Sequence, residues 1–204
     1  MKKFFLFPLI FTFFIGQTQN PLLSEDYSKQ NRWVDSIYNN LDLEEKIGQL
    51  ITVWVATKYG EDEIKHISKL IEDYKLGGLI FSLGDIKSQA KAINKFQKQS
   101  KVPLLISMDA EWGIGMRLHD AFSFPYNMTL GAIENDSLIY QVGKRIGFHA
   151  KRLGVQINFA PVVDINTNPA NPIIGFRSFG EDKYNVSNKA LNYLKGMHYH
   201  GIMG

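Results

Sequence analysis

Along this chain, stretches with apolar residues every three to four positions alternate with short runs that are apolar throughout. Trp33, Ile37, Tyr38 and Leu41 share helical spacing in and just after 25–40. Asp42 followed by Glu45 fits a capping box and predicts a second helix start. Ile47 to Val55 is β-branched and apolar, and its second half predicts a buried strand. Ile64, Ile67, Leu70 and Ile71 predict an amphipathic helix over Glu61–Tyr74. Strand runs then follow at 76–81, 102–108 and 155–165. Between and after them come helices that start after Asp85, over 136–153 and over 181–200. Gly201 to Gly204 predicts the first residues of a further strand.

Strands that are apolar on both faces and alternate with helices belong in parallel sheets covered by helices. Right-handed crossovers leave two outcomes, an open doubly wound sheet or a barrel. The pattern holds four complete strand–helix units and the start of a fifth. An eight-stranded α/β barrel takes about 250 residues. The expected class is therefore α/β, and an eightfold barrel cannot close from these residues alone. There are no internal repeats, low-complexity tracts or linkers to mark a second domain.

Residues 1–20 stand apart. Two lysines precede an apolar run from Phe4 to Ile15, then small and polar residues follow, which is the layout of a secretory signal. The run is shorter than the roughly 20 residues of a membrane span, so the expectation is export to the periplasm or outside, with no stable span after cleavage. An uncleaved anchor is the alternative. Residues 21–204 are assigned to the fold. Of the 23 basic residues two lie in this leader, which holds no carboxylate, leaving 21 against 20 acidic ones. A near-neutral body argues against nucleic acid as a partner. The chain has no cysteine, which excludes disulfides, thiolate metal sites and cysteine nucleophiles.

Chemistry concentrates at two strand ends, where parallel α/β folds bind ligands. The first runs from Leu104 through Ser107-Met108-Asp109-Ala110-Glu111-Trp112-Gly113-Ile114-Gly115-Met116-Arg117. The second runs from Val155 to Asn166 and continues through a long turn to Arg177-Ser178-Phe179-Gly180-Glu181-Asp182. Asp109 leaves a buried strand with a carboxylate, which is costly unless paired or hydrogen-bonded. Arg117, Arg177 and sugar hydroxyls are suitable partners, and Trp112 offers an aromatic face. The plainer alternative for Asp109 is an ion pair that only fixes the loop. Asp164 either contributes to the site or caps the next turn. Glu111 either takes part or anchors loop backbone, and Trp112 either faces ligand or packs in the core. Glu181 and Asp182 read as helix caps. The five histidines are scattered, and neither a metal site, a dinucleotide loop nor a phosphate loop is present, so no cofactor is expected.

At these strand ends the chain resembles the N-terminal barrel domain of glycoside hydrolase family 3, and within it the bacterial β-N-acetylhexosaminidases. The resemblance runs from about Leu43 to Gly204 and implies the fold, α/β with an incomplete TIM (β/α)8-type barrel of about four to five βα units of eight. It is carried by Leu43-Glu44-Glu45-Lys46-Ile47-Gly48-Gln49-Leu50, by Leu76-Gly77-Gly78-Leu79-Ile80, and by Asp109-Ala110-Glu111-Trp112-Gly113, where the family has Asp-x-Glu-Gly-Gly. Asn158 to Asp164 and Arg177 to Asp182 complete it. Trp112 replaces the first glycine of that pair, and Ile114 an arginine that often follows it.

The resemblance implies that Asp109, Arg117 and Arg177 bind one sugar, the first through ring hydroxyls. It implies a retaining glycosidase that releases terminal β-N-acetylglucosamine from peptidoglycan- or chitin-derived substrates. The family's nucleophile is an aspartate on a later strand, and the hexosaminidase acid/base is a histidine in a loop expected beyond Gly204. No catalytic residue is therefore assigned within this chain, which is expected to be an N-terminal piece inactive by itself. The alternatives are a β-glucosidase of the same family and a non-catalytic sugar-binding protein.

Overall fold

The computed structural model describes residues 26–204, and the expected export signal lies outside the described residues. Helix α1 (Tyr27–Tyr38) and α2 (Leu43–Gly48) lead into β1 (Thr52–Val55), α3 (Glu61–Tyr74), β2 (Gly78–Phe81), α4 (Ile86–Gln99) and β3 (Leu105–Met108). A short helix α5 (Asn127–Gly131), α6 (Asp136–Leu153), β4 (Ile157–Asn158) and α7 (Lys183–His198) complete the order. Helix starts follow the side chains that satisfy free N–H groups. Asp42 and Glu45 form the reciprocal capping box, while Asp85 accepts from Ser88 N–H and Asp182 from Asn185 N–H.

The four strands form one parallel sheet in the order β1-β2-β3-β4. Thr52 pairs with Gly78, Gly78 with Leu105, and Ser107 with Ile157. Met203 pairs in parallel with Ile157 and starts the next strand position. Spatial order follows chain order with no reversal, which is the barrel-type alternative; a doubly wound sheet reverses at its switch point.

Burial follows the two-residue period of the strands. Val55, Leu79, Phe81, Ile106 and Met108 pack under the helices, against Ile67 and Ile71 of α3, Ile93 and Phe96 of α4, and Ile139 and Ile146 of α6. The opposite face is less covered than the sequence predicts: Trp54 is 47% exposed and Leu105 43%. That face points to the inside of the curved sheet, where four strands do not fill the space that eight enclose. Strand β1 is an edge with one partner, so of its residues only Val55 is buried.

Strand β4 is shorter than predicted. The last ladder bond runs from Phe159 N–H to Met108 C=O, after which Ala160 bonds locally to Asn158 C=O. Pro161 has no N–H to continue the ladder. Helix α1 has no buried residue; Ile37 is only half-buried, and the Tyr38 ring meets the ammonium of Lys46 at 4.0 Å.

Helices α6 and α7 touch through glycines. A Cβ on Gly143 would sit 2.1 Å from Tyr193 C=O, and one on Gly196 2.3 Å from Tyr140 C=O. This close approach buries Tyr193 completely and brings its hydroxyl to the loop after β3, where it donates to Glu111 C=O at 2.9 Å.

Candidate functional site

The site begins where β3 ends. Asn158 of β4 fixes the exit of β3: its Oδ1 accepts from Ala110 N–H at 2.9 Å and its Nδ2 donates to Ala110 C=O at 3.1 Å. The chain then turns tightly. Gly113 has φ of 90°, a left-handed conformation suited to glycine, and one 3-10 turn over Ile114–Met116 follows. The far side of the turn is tied to the loop after β2, since Gly84 N–H donates to Arg117 C=O and His119 N–H to Gly84 C=O.

This turn returns Arg117 to Asp109. The guanidinium donates from Nε to Asp109 C=O and from Nη2 to Asp109 Oδ2, both at 2.9 Å. The pair is partly open, with side-chain exposures of 24% for Arg117 and 41% for Asp109. Asp109 Oδ1 has no hydrogen-bond partner among the described residues.

The second guanidinium comes from the segment after β4. Ser178 Oγ donates to Asp164 C=O at 2.5 Å, and Asn166 N–H donates to Gly180 C=O, so the two ends of this segment are laced together. Asn127 Nδ2 holds Arg177 C=O at 2.8 Å. The Arg177 side chain grips Glu111 through Nε, at 3.1 and 3.0 Å to the two carboxylate oxygens, and through Nη2 at 2.7 Å. Glu111 is only 5% exposed and Arg177 32%. The hydrogen bonds to Glu111 raise the Arg177 pKa above its already high value against the opposing effect of desolvation. The charges of Glu111, Asp164 and Asp109 add to the rise. Burial drives the Tyr193 phenol well above its usual range, so its proton stays on the bond to Glu111 C=O.

The structure thus brings Asp109, Arg117 and Arg177 to one mouth at the carboxyl ends of β3 and β4. Asp109 pairs with Arg117, one of the two arginines the sequence allowed it, and Arg177 pairs with Glu111. Glu111, left open between a part in the site and a backbone anchor, joins the site through its carboxylate, and its C=O also accepts from Tyr193. Asp164 offers its carbonyl to Ser178 and its charge to Arg177, and Asp182 caps α7 as predicted. Trp112 is in contact with Tyr126 and Phe176, at ring-centroid distances of 4.8 and 6.3 Å. Among the described residues no group of His, Asp or Glu is placed to hold a metal, and no helix is long and apolar enough to cross a membrane.

The sequence profile described as "Glycosyl hydrolase family 3 N terminal domain" matches residues 42–204. The chain belongs to glycosyl hydrolase family 3. The TIM-barrel-like α/β fold of this family accounts for the sequential parallel sheet. Beta-hexosaminidase A of Pseudoalteromonas piscicida is 34% identical over 150 residues, covering 67% of this chain and 25% of that protein. The beta-N-acetylglucosaminidase/beta-glucosidase of Cellulomonas fimi is 29% identical over 170 residues, covering 83% and 29%. The chain therefore spans less than a third of the length of either relative. Among solved structures, a family 3 β-N-acetylglucosaminidase from Paenibacillus sp. str. FPU-7 superposes with a TM-score of 0.71 at 34% identity, covering 79% of this chain and 32% of that one. The beta-glucoside phosphorylase BglX bound to 2FGlc superposes with a TM-score of 0.79 at 27% identity, covering 88% and 32%.

Proposed function

We propose that this family 3 chain holds the terminal sugar for an exported retaining glycosidase that releases β-linked N-acetylglucosamine. The observation that carries this reading is the paired arrangement at one mouth. Among the described residues Asp109 keeps one carboxylate oxygen free of protein partners, and Arg117 and Arg177 each keep N–H groups beyond those committed to their carboxylates. Asp109 would accept from a ring hydroxyl, and the two guanidinium groups would donate to neighbouring oxygens. Their own ion pairs hold them in place before the sugar arrives, which lowers the ordering cost of binding. Glu111 acts as a positioning residue for Arg177.

A retaining mechanism needs a nucleophilic carboxylate and an acid/base residue, with two carboxyl groups about 5 Å apart in the usual arrangement. At this mouth the carboxylates of Asp109 and Glu111 are committed to arginines, and Asp164 lends its charge to Arg177. We therefore assign the nucleophile and the acid/base to sequence beyond residues 1–204. The hexosaminidase names of similar proteins support the substrate, and the leader-like pattern of residues 1–20 supports export. The second reading is a β-glucosidase, favoured by the likeness to the Cellulomonas fimi protein and, for a β-glucoside as substrate, to the phosphorylase BglX.

The test is to express the complete gene product and compare 4-nitrophenyl N-acetyl-β-glucosaminide with 4-nitrophenyl β-glucoside. Preferential cleavage of the first is expected. Activity confined to the glucoside selects the second reading, and a complete product that binds sugar yet cleaves neither contradicts the enzyme.

A further inference from the structure

The helical layer carries its charge unevenly. Residues 86–108, which hold α4, contain no carboxylate, and neither do residues 137–163, which hold all of α6 past its first position. Each of these helices nevertheless carries four Lys or Arg residues. A groove of about 440 Å³ runs between them, with an apolar lining that includes Ile86, Phe122 and Phe148 and with Arg152 beside it. Phe122 is 65% exposed. Asp120 is the one carboxylate among the lining residues, and its Oδ1 is taken by Ile86 N–H at 3.0 Å. The guanidinium groups of Arg145 and Arg152 stand 5.5 and 5.7 Å from the centre of the Phe148 ring. Neither has an ion-pair partner among the described residues, nor do Lys87 and Lys151, and all four are exposed.

Like charges gathered on one face without carboxylates repel one another, and an anionic partner relieves that repulsion. The apolar groove adds a second requirement. A purely polar polyanion answers the cations and leaves Phe122 and Ile86 in water. An apolar peptide fills the groove and leaves the guanidinium groups unanswered. A phospholipid with an anionic headgroup meets both, with phosphate oxygens for Arg145 and Arg152 and acyl carbon for the groove. In a bilayer many headgroups lie side by side, so the separate cations of Lys87 and Lys151 add to the same attraction. The stems of these long side chains reach toward headgroups while apolar neighbours sit at the acyl boundary.

We infer that the face made by α4, α6 and the loop carrying Phe122 docks this protein on an anionic phospholipid bilayer, with Arg145 and Arg152 on headgroup phosphates and Phe122 in the apolar boundary. The contact is peripheral and spans nothing. It is independent of which sugar the mouth takes and of whether that sugar is cleaved.

The experiment is co-sedimentation of the complete gene product with vesicles of phosphatidylglycerol and phosphatidylcholine in equal parts. Vesicles of phosphatidylcholine alone measure any binding through the apolar leader. The protein should sediment in excess with the mixed vesicles at low salt and be released as salt rises. Replacing Arg145→Gln and Arg152→Gln together should weaken the mixed-vesicle affinity more than about tenfold, at about fivefold for each cation. Lys87→Gln with Lys151→Gln, which leaves the Phe148 contacts in place, should do the same at an unchanged melting temperature. Phe122→Ser should weaken binding about fivefold. Unchanged binding by Phe122→Ser overturns the bilayer in favour of a purely polar polyanion. Equal sedimentation with both vesicle types overturns the proposal, as do wild-type affinities in both charge variants. Absence of sedimentation overturns it as well, and would mean that another part of the protein covers this face.

Discussion

Arg117 meets Asp109 across 8 residues of a single turn, whereas Arg177 meets Glu111 across 66 residues and a whole helix–strand unit. The local pair is open to solvent; in the distant pair the carboxylate is almost fully buried. An exposed pair gains little stability, because water already solvates both charges. A buried carboxylate that loses its partner is costly. The two pairs therefore divide the work. Asp109–Arg117 is the pair a ligand can reach, and Glu111–Arg177 is the pair that fastens the segment after β4 to the turn after β3.

The largest expected effect is on the buried pair. Glu111→Gln should cost about 2–4 kcal/mol of stability by urea unfolding, the upper end being moderated by the partial exposure of Arg177. A cost below about 1 kcal/mol would show that the fastening role is misplaced. Next comes the support beneath it. Tyr193→Phe removes the buried donor to Glu111 C=O and should cost about 1–2 kcal/mol, accompanied by weaker sugar binding as the turn relaxes. Asp109→Asn should reverse the contrast, with stability changed by less than about 1 kcal/mol and N-acetylglucosamine affinity reduced about tenfold or more. If Asp109→Asn destabilises as much as Glu111→Gln, the distinction between the pairs fails.

The smallest effect concerns the helical layer on which both loops stand. Burial, with Arg145 nearby, holds the His149 imidazole below its ordinary pKa. Because the folded value lies below the unfolded one, the stability from neutral His149 is full above about pH 6.5 and is lost as pH falls through the folded value. His149→Gln should flatten the melting temperature of the protein between pH 7 and pH 5. An unchanged slope would assign the acid sensitivity elsewhere.

The same contrast of local and distant explains what could be read in the sequence. Helices α3 and α6 match their predicted spans because periodicity and flanking residues act within the segment itself. The Asp109–Arg117 pair was legible for the same reason, since one glycine turn joins its members. Sequence could not show that Trp54 and Leu105 stay half open, because that depends on how many strands share the interior. The length of β4 was overread, since an apolar run past Asn158 hid the effect of Pro161. Glu111 remained undecided because its partner arrives from beyond α6 and β4, and Tyr193 reaches the turn only through the glycine contact between α6 and α7. Long-range partners leave no periodic trace.

The central claim is that Asp109, Arg117 and Arg177 hold one sugar together. A crystal structure of the complete gene product with N-acetylglucosamine tests it most directly. The account predicts the Asp109 carboxylate and both guanidinium groups within hydrogen-bonding distance, about 2.7–3.2 Å, of oxygens on the same pyranose. A sugar bound elsewhere, or touching only one of the three, would contradict it.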